Sequence, residues 1–172
     1  VVVVSYVLCC AAAMAGDLAW LDQYNVVWTS QSANSGESMP VSGGDIGLNA
    51  WVENDELLVY LGRVGYRDEK GGILKPGRLR IKLTPNPFEN AEFRQEVKRR
   101  QGYVLITAKQ PKGKDVKIKI WAEVARPIAH VDIKSGKPVT AEATYESWRT
   151  ETIELPNHRS KHAHRAMCML NY

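Results

Sequence analysis

The sequence predicts an all-β fold, an antiparallel β-sandwich or barrel, and two observations lead to this prediction. Short segments in which apolar and polar residues alternate recur along most of the chain. Glycine, proline and asparagine turns separate these segments about every eight to twelve residues. No convincing amphipathic helix follows the first residues. The length of 172 residues suits one domain with a proper core.

The first half of the chain contains a strand and then a hairpin. Tyr24–Ser30 is rich in β-branched and aromatic residues and is the first predicted strand. A polar loop leads from it into the run SGGDIG. Asp45–Glu53 then alternates, with Ile46, Leu48, Ala50 and Val52 on one face and Gly47, Asn49, Trp51 and Glu53 on the other. Asn54 and Asp55 form a two-residue turn and Glu56–Arg63 returns, which predicts a β-hairpin.

Further strands follow a long charged loop, Val64–Gly77. Arg78–Leu83 alternates cleanly, whereas Pro85 and Pro87 exclude a central strand in the next segment. A second hairpin is predicted around Gln101 and Gly102. The last three strands are Asp115–Ala125, with Val116, Ile118, Ile120, Ala122 and Val124 pointing inward, and one strand on each side of the Ser135–Pro138 turn.

The two ends of the chain differ from this pattern. Residues 1–15 are an apolar run that ends in Ala13-Met14-Ala15, which fits a signal-peptidase site and predicts a truncated signal peptide. We expect residues 16–23 to be a linker, residues 24–156 the sandwich domain and residues 157–172 a His-rich connection with the start of a truncated strand. The chain is then a fragment of a longer protein that is secreted or periplasmic. The adjacent Cys9 and Cys10 leave lipid anchoring as the weaker alternative.

Several functional classes are disfavoured. The net charge of +4 is spread along amphipathic strands, which argues against nucleic-acid binding. His158, His162 and His164 form H-x3-H-x-H without a carboxylate or thiolate at ligand spacing, so we assign no metal and no cofactor. The glycine run lacks the Lys-Ser/Thr pair and the helix of a phosphate loop. No pair of carboxylates is assigned to catalysis.

Glycines and tryptophans are the remaining candidates for a site. We expect Gly43 and Gly44 to supply positive φ in a tight connection and Gly47 to let another backbone approach its strand. Trp51 and Trp121 lie on the strand faces opposite their aliphatic neighbours. We favour packing against a second layer or a neighbouring domain for them, with stacking on a sugar ring as the alternative.

Residues 24–149 resemble the N-terminal domain of large secreted bacterial glycoside-hydrolase-like proteins, a domain of unknown function. The resemblance rests on YNVVWTSQSANSGESMPVSGGDIGLNAWVENDELLVYLGR, LKPGRLRIKLTPNPF and VKIKIWAEVARPIAHVDIKSGKPVTAEATYESWR. It is similar to the N-terminal β-sandwich of glycoside hydrolase family 95, the alpha-L-fucosidase group. That group has P-x-G-N-G-x-x-G, which Pro40, Gly43, Asp45 and Gly47 match in part, with Ser42-Gly43-Gly44 replacing Gly-Asn-Gly.

The resemblance implies a supersandwich-like β-sandwich followed by a helical barrel that holds the catalytic acid and base. We therefore expect a non-catalytic domain that buttresses a C-terminal catalytic domain of the same chain, with a glycan as the substrate of the whole protein. The alternatives are a carbohydrate-binding module and a cell-surface interaction domain. The candidate residues for an active-site rim or domain interface are Ser42, Gly43, Gly44, Asp45, Asn49, Trp51 and Arg63.

Overall fold

The computed structural model describes residues 18–67, 73–113 and 115–148, and the predicted all-β fold is confirmed there. Ten strands are present in this part, with three short 3-10 helices at Ala19–Tyr24, Ser35–Glu37 and Pro111–Gly113. The strands are β1 (Val27–Trp28), β2 (Met39–Gly43), β3 (Ile46–Glu53), β4 (Glu56–Arg63), β5 (Gly77–Thr84), β6 (Glu92–Lys98), β7 (Tyr103–Lys109), β8 (Val116–Ala122), β9 (Ala129–Ser135) and β10 (Thr140–Glu146).

The strands form two antiparallel sheets of five strands each, packed as a β-sandwich. Sheet I has the order β1-β6-β7-β8-β9, and sheet II has the order β10-β5-β4-β3-β2. Four consecutive strands make up most of each sheet. The strand at one edge comes from the opposite end of the chain, since β1 joins β6 in sheet I and β10 joins β5 in sheet II.

The predicted hairpin of β3 and β4 is confirmed in register. Glu53 pairs with Glu56 across a two-residue turn. Asn54 and Asp55 in that turn have φ angles of 50° and 64°. Positive φ at both central residues suits the right-handed twist of the two strands, and Asn and Asp tolerate it better than most residues. The hairpin's inward row of Leu48, Ala50 and Val52 lies in the core, as predicted.

Three local predictions differ from the structure. The first strand covers only Val27–Trp28, and the loop before the glycines ends in an additional strand, β2. Strand β8 ends at Ala122, so Val124 is 83% exposed instead of inward. The two strands predicted on either side of the Ser135–Pro138 turn are both present, and they lie in different sheets, since β9 joins sheet I and β10 joins sheet II.

The core lies between the sheets and is made of aliphatic side chains from both inner faces, with Met39, Phe93 of β6 and Phe88 of the loop before β6. The two sheets also meet at one buried hydrogen bond and at one close approach of their backbones. The Gln95 side chain of β6 is fully buried, and its Oε1 accepts a hydrogen bond from the backbone N–H of Val52, 3.1 Å away. At Gly43, an added Cβ would lie 2.6 Å from the carbonyl oxygens of Ala122 and Glu123, so only glycine fits this crossing.

Strand β10 has an exposed inner face. Ala141, Ala143 and Tyr145 pair with core-facing residues of β5, yet all three are exposed, Tyr145 by 56%. Sheet I therefore leaves this edge of sheet II uncovered within the described residues.

Candidate functional site

A groove of about 750 Å³ crosses the outer face of sheet II. Its floor is a row of positions with little or no side chain. Ser42 of β2 pairs with Gly47 of β3, which pairs with Gly62 of β4. A Cβ added at Gly47 would meet no atom within 4 Å. The two glycines thus leave a gap in a surface that side chains would otherwise cover.

The next row of the sheet forms one wall of this groove. Pro40, Asn49 and Tyr60 are neighbours across β2, β3 and β4. Their side chains point outward because they alternate with the core residues Val41, Leu48 and Val59. The remaining polar residues at the groove are Ser35, Ser42 and Lys75. Trp148 also lines the groove, together with the aliphatic residues Val41, Leu48 and Leu61. Amide, hydroxyl, ammonium and aromatic groups therefore meet around an open floor.

Three aromatic rings form a connected cluster at this wall. The rings of Trp51 and Tyr60 lie 4.6 Å apart, and those of Tyr60 and Trp148 lie 5.2 Å apart, both edge to face. Trp51 is 1% exposed, and its indole N–H donates to Glu53 Oε2 at 2.8 Å. Trp51 thus supports Tyr60 from below, while Tyr60 and Trp148 are half-buried and reach the groove.

Ion pairs lie beside the groove on the same sheet face. Glu146 accepts from Arg78 at 2.6 Å and from Arg80 at 2.5 Å, and Arg80 also pairs with Glu56. The hydrogen bond from Arg80, followed by that from Arg78, lowers the pKa of Glu146. These carboxylates are therefore neutralised by arginines, and none of them is among the groove's lining residues.

Lys75 is the charged side chain among the described residues that line the groove. It lies two residues before β5, at the end of the loop that follows β4. Partial desolvation of its ammonium group lowers the pKa of Lys75.

The structure separates the seven predicted rim residues into three groups. Ser42 and Asn49 line the groove. Gly44, with φ of 57°, makes the turn between β2 and β3, where Asp45 Oδ2 pairs with Arg63 Nε at 3.0 Å. Gly43 and Trp51 are buried, the former against sheet I and the latter under Tyr60.

Gly44 has its expected role, and Gly43 and Gly47 do not. Gly43 lies within β2 without a positive φ, and it is the position where another backbone comes close. Gly47 was expected to allow such an approach but faces open space, and Gly44 alone of the three has the predicted positive φ. Gly43 therefore allows the close contact between the sheets, Gly44 forms the β2–β3 turn, and Gly47 lies on the groove floor.

Gly62, Tyr60, Lys75 and Trp148 were missed as site residues in the sequence. The predicted hairpin could have identified two of them. Counting back from the Asn54–Asp55 turn pairs Asn49 with Tyr60 and Gly47 with Gly62, as the structure shows. Lys75 and Trp148 carry no such signal, since their positions depend on how the loop before β5 and the end of β10 meet the hairpin.

The outer face of sheet I carries a second set of aromatic residues. Trp121 stacks on His130 with 4.6 Å between ring centroids and 7° between planes. Lys119 Nζ lies 4.5 Å from the Tyr103 ring centroid and 4.7 Å from that of Trp121. Glu123 Oε1 lies 2.8 Å from His130 Nε2, and Arg126, followed by His130, lowers the pKa of Glu123. These contacts cover the Trp121 ring.

The described part of the chain contains neither a metal-binding cluster nor a membrane-spanning helix. No three His, Cys, Asp or Glu side chains there come together in a way that could hold a metal ion. No helix there is long and apolar enough to cross a membrane. The H-x3-H-x-H residues and the apolar N-terminal run both lie outside the described ranges.

The comparisons with known proteins give a family without an assigned activity. No curated protein is significantly similar to the chain. Residues 27–171 match the family described as a domain of unknown function, DUF5703, in its N-terminal part. This match covers every strand of both sheets, and the chain therefore belongs to the DUF5703 N-terminal domain family.

Proposed function

We propose that this chain is the non-catalytic N-terminal β-sandwich domain of a secreted glycoside hydrolase and that its groove on sheet II holds part of a glycan. The observation that carries the proposal is the groove itself, with a glycine floor, an aromatic wall and a polar rim. Sugar rings present apolar C–H faces and hydroxyl edges, which suit aromatic side chains and amide or hydroxyl groups respectively.

The size and composition of the groove support binding more than hydrolysis. Its volume of about 750 Å³ lies in the range of ligand pockets, about 300–1,000 Å³. Glycoside hydrolysis uses two carboxyl groups on opposite sides of the scissile bond. The described lining residues include none, and the neighbouring Glu56 and Glu146 are engaged by arginines. The proposal therefore assigns the groove a holding role, with catalysis in another domain of the parent protein.

A groove-filling substitution provides the most direct test. Gly47→Val places a β-branched side chain on the floor, where space is open and the strand favours such residues. We expect the variant to keep the thermal unfolding midpoint of the parent chain and to lose glycan binding by about tenfold or more, measured by calorimetry against a panel of oligosaccharides. Trp148→Ala should weaken binding similarly, because it removes an aromatic wall.

The matched control is Trp121→Ala, which removes a half-buried tryptophan from the outer face of the other sheet. It should leave glycan affinity unchanged. If no saccharide binds, or if Gly47→Val and Trp121→Ala affect affinity equally, the groove is not a glycan site.

The buttressing role rests on a different observation, the exposed inner face of β10. Ala141, Ala143 and Tyr145 point to the side of sheet II on which the core lies, yet sheet I does not cover them. An apolar sheet face is normally packed against another layer. We propose that a following domain of the parent protein packs on this face.

Hydrogen exchange can test that packing. Amides of Thr140–Glu146 should exchange more slowly in the multidomain parent protein than in the present chain, whereas those of β9 should exchange alike in both. Equal exchange in β10 would contradict the buttressing role. Failure of both this test and the glycan panel would favour the remaining alternative, a cell-surface interaction domain.

A further inference from the structure

We infer that the groove on sheet II holds a linear stretch of a glycan chain, about three sugar units laid across the strands, and that a single sugar occupies only the end beside Trp148. This inference rests on the proposed glycan-binding function and goes further by naming the form of the ligand. It depends on the shape of the groove and on the order of aromatic and polar residues along it.

The groove is narrow in the direction of the strands. Three neighbouring strands each contribute three consecutive residues to its lining, 40–42 of β2, 47–49 of β3 and 60–62 of β4. Along the strands the lining therefore spans about 7 Å, because three residues are separated by two rises of about 3.3 Å. This width suits a chain that is one sugar ring wide.

The groove is longer in the direction that crosses the strands. Strand β3 lies between β2 and β4, so two spacings of about 4.8 Å separate the outer members of this trio by about 10 Å. The lining also includes Ser35 of the short 3-10 helix that leads into β2. On the other side it includes Lys75 and Trp148, which lie just outside β5 and β10, and β5 adjoins β4. Successive sugar rings laid across the strands follow this longer dimension.

The chemistry of the lining changes along that direction. Tyr60 and Trp148, with ring centroids 5.2 Å apart, form an aromatic end. From Tyr60 of β4, the next outward positions across the sheet are Asn49 of β3 and then Pro40 and Ser42 of β2. A first ring therefore gains the apolar contact at the aromatic end, and further rings gain amide and hydroxyl partners on β3 and then on β2.

A series of ligands of increasing length tests the inference. Calorimetry with the full chain would use xylo-, cello- and galacto-oligosaccharides of one to six units. In a series that binds, we expect the affinity to rise about tenfold or more between one unit and three, because each added ring finds new partners in the lining. The affinity should then level off, because further rings lie beyond the lining residues.

Single substitutions locate the rings along the groove. Trp148→Ala should weaken binding at every chain length, because it removes part of the aromatic end. Ser42→Ala should lower the affinity for the tetrasaccharide about threefold or more, the effect of one lost hydrogen bond, and leave that for the monosaccharide unchanged. Thr144→Ala is the matched control, because Thr144 is an exposed hydroxyl residue on the outer face of sheet II that does not line the groove.

The outcomes separate this inference from the function on which it rests. If the monosaccharide binds as tightly as the tetrasaccharide and Gly47→Val abolishes both, the glycan groove stands and the extended ligand is wrong. If Ser42→Ala weakens the monosaccharide as much as the tetrasaccharide, or if Thr144→Ala has the same effect, the order of rings across the strands is wrong. If none of the oligosaccharides binds, the proposed function fails and this inference fails with it.

Discussion

The outer faces of the two sheets contain similar residues and offer very different surfaces. Sheet I presents Tyr103, Lys119, Trp121 and His130, and these side chains cover one another by stacking and cation–π contacts. Sheet II presents Tyr60 and Trp148 beside the paired Gly47 and Gly62, so an open groove adjoins its rings. The groove on sheet II therefore depends on the Gly47–Gly62 row, where no side chain covers the sheet, more than on the number of aromatic residues nearby.

Two tryptophans in equivalent positions of the sequence pattern also differ between the two sheets. Trp51 and Trp121 both lie on strand faces turned away from the core. Trp51 is nevertheless 1% exposed, whereas Trp121 remains half-buried. Trp51 packs beneath Tyr60 at the groove wall. Trp121 lies among the stacked side chains on sheet I.

The largest expected loss of stability follows from replacing the buried Trp51, and replacing Trp121 provides the comparison. Trp51→Ala should lower the free energy of unfolding by about 3–5 kcal/mol, because it removes a fully buried indole and leaves a cavity. Trp121→Ala should cost less, about 2 kcal/mol, because a half-buried indole loses only part of that burial together with its stacking on His130. Urea denaturation followed by far-UV circular dichroism measures both. Equal losses would mean that the two outer faces are packed alike.

A smaller change in stability should distinguish Gly43, which lies against sheet I, from Gly47 on the groove floor. Gly43→Ala should destabilise the chain by about 1–3 kcal/mol, because its Cβ would overlap two backbone carbonyl oxygens of sheet I. Gly47→Ala should be neutral or stabilise by up to about 1 kcal/mol, because it meets open space and restricts the unfolded chain. Thermal unfolding of the two variants compares them directly. A destabilised Gly47→Ala would show that the floor is already occupied.

The smallest expected effect is a loss of folding stability at acidic pH, through protonation of Glu146. Because the folded state lowers the pKa of Glu146 below its ordinary value of 4.5, folding favours the charged carboxylate. That stabilisation is fully present above about pH 4.5 and is lost as the pH falls through the lower folded value. Denaturation midpoints measured between pH 7 and pH 3 should therefore fall more steeply in the parent chain than in Glu146→Gln. Glu142→Gln, on the exposed outer side of the same strand, should keep the parent slope.

Local features were predictable from the sequence because neighbouring residues determine them. The Asn54–Asp55 turn fixes the register of β3 and β4 through backbone conformation alone, and the alternation of β5, β7 and β8 identifies their inner faces. The register that this turn fixes also pairs Gly47 with Gly62. The groove floor could thus have been derived from the sequence.

Features that depend on distant contacts could not be derived. Strand β2 carries a proline and a glycine within five residues, and it becomes a strand because β3 offers it an edge. Val124 continues the alternation of β8 but lies beyond its last pairing, Ala122 with Ala129. Lys75 and Trp148 reach the groove only once β5 and β10 have been placed in sheet II.

The exchange of terminal strands between the sheets has a consequence for synthesis. Hairpins form from neighbouring segments, but the edge of β5 that faces away from β4 meets its partner β10 only after residues 140–146 have left the ribosome. An unpaired edge invites intermolecular pairing, and natural edge strands are protected by charge. Arg78, Arg80 and Lys82 alternate along β5. These residues would keep the growing chain from aggregating before two of them find their acidic partners, Arg78 with Glu146 and Arg80 with Glu56 and Glu146.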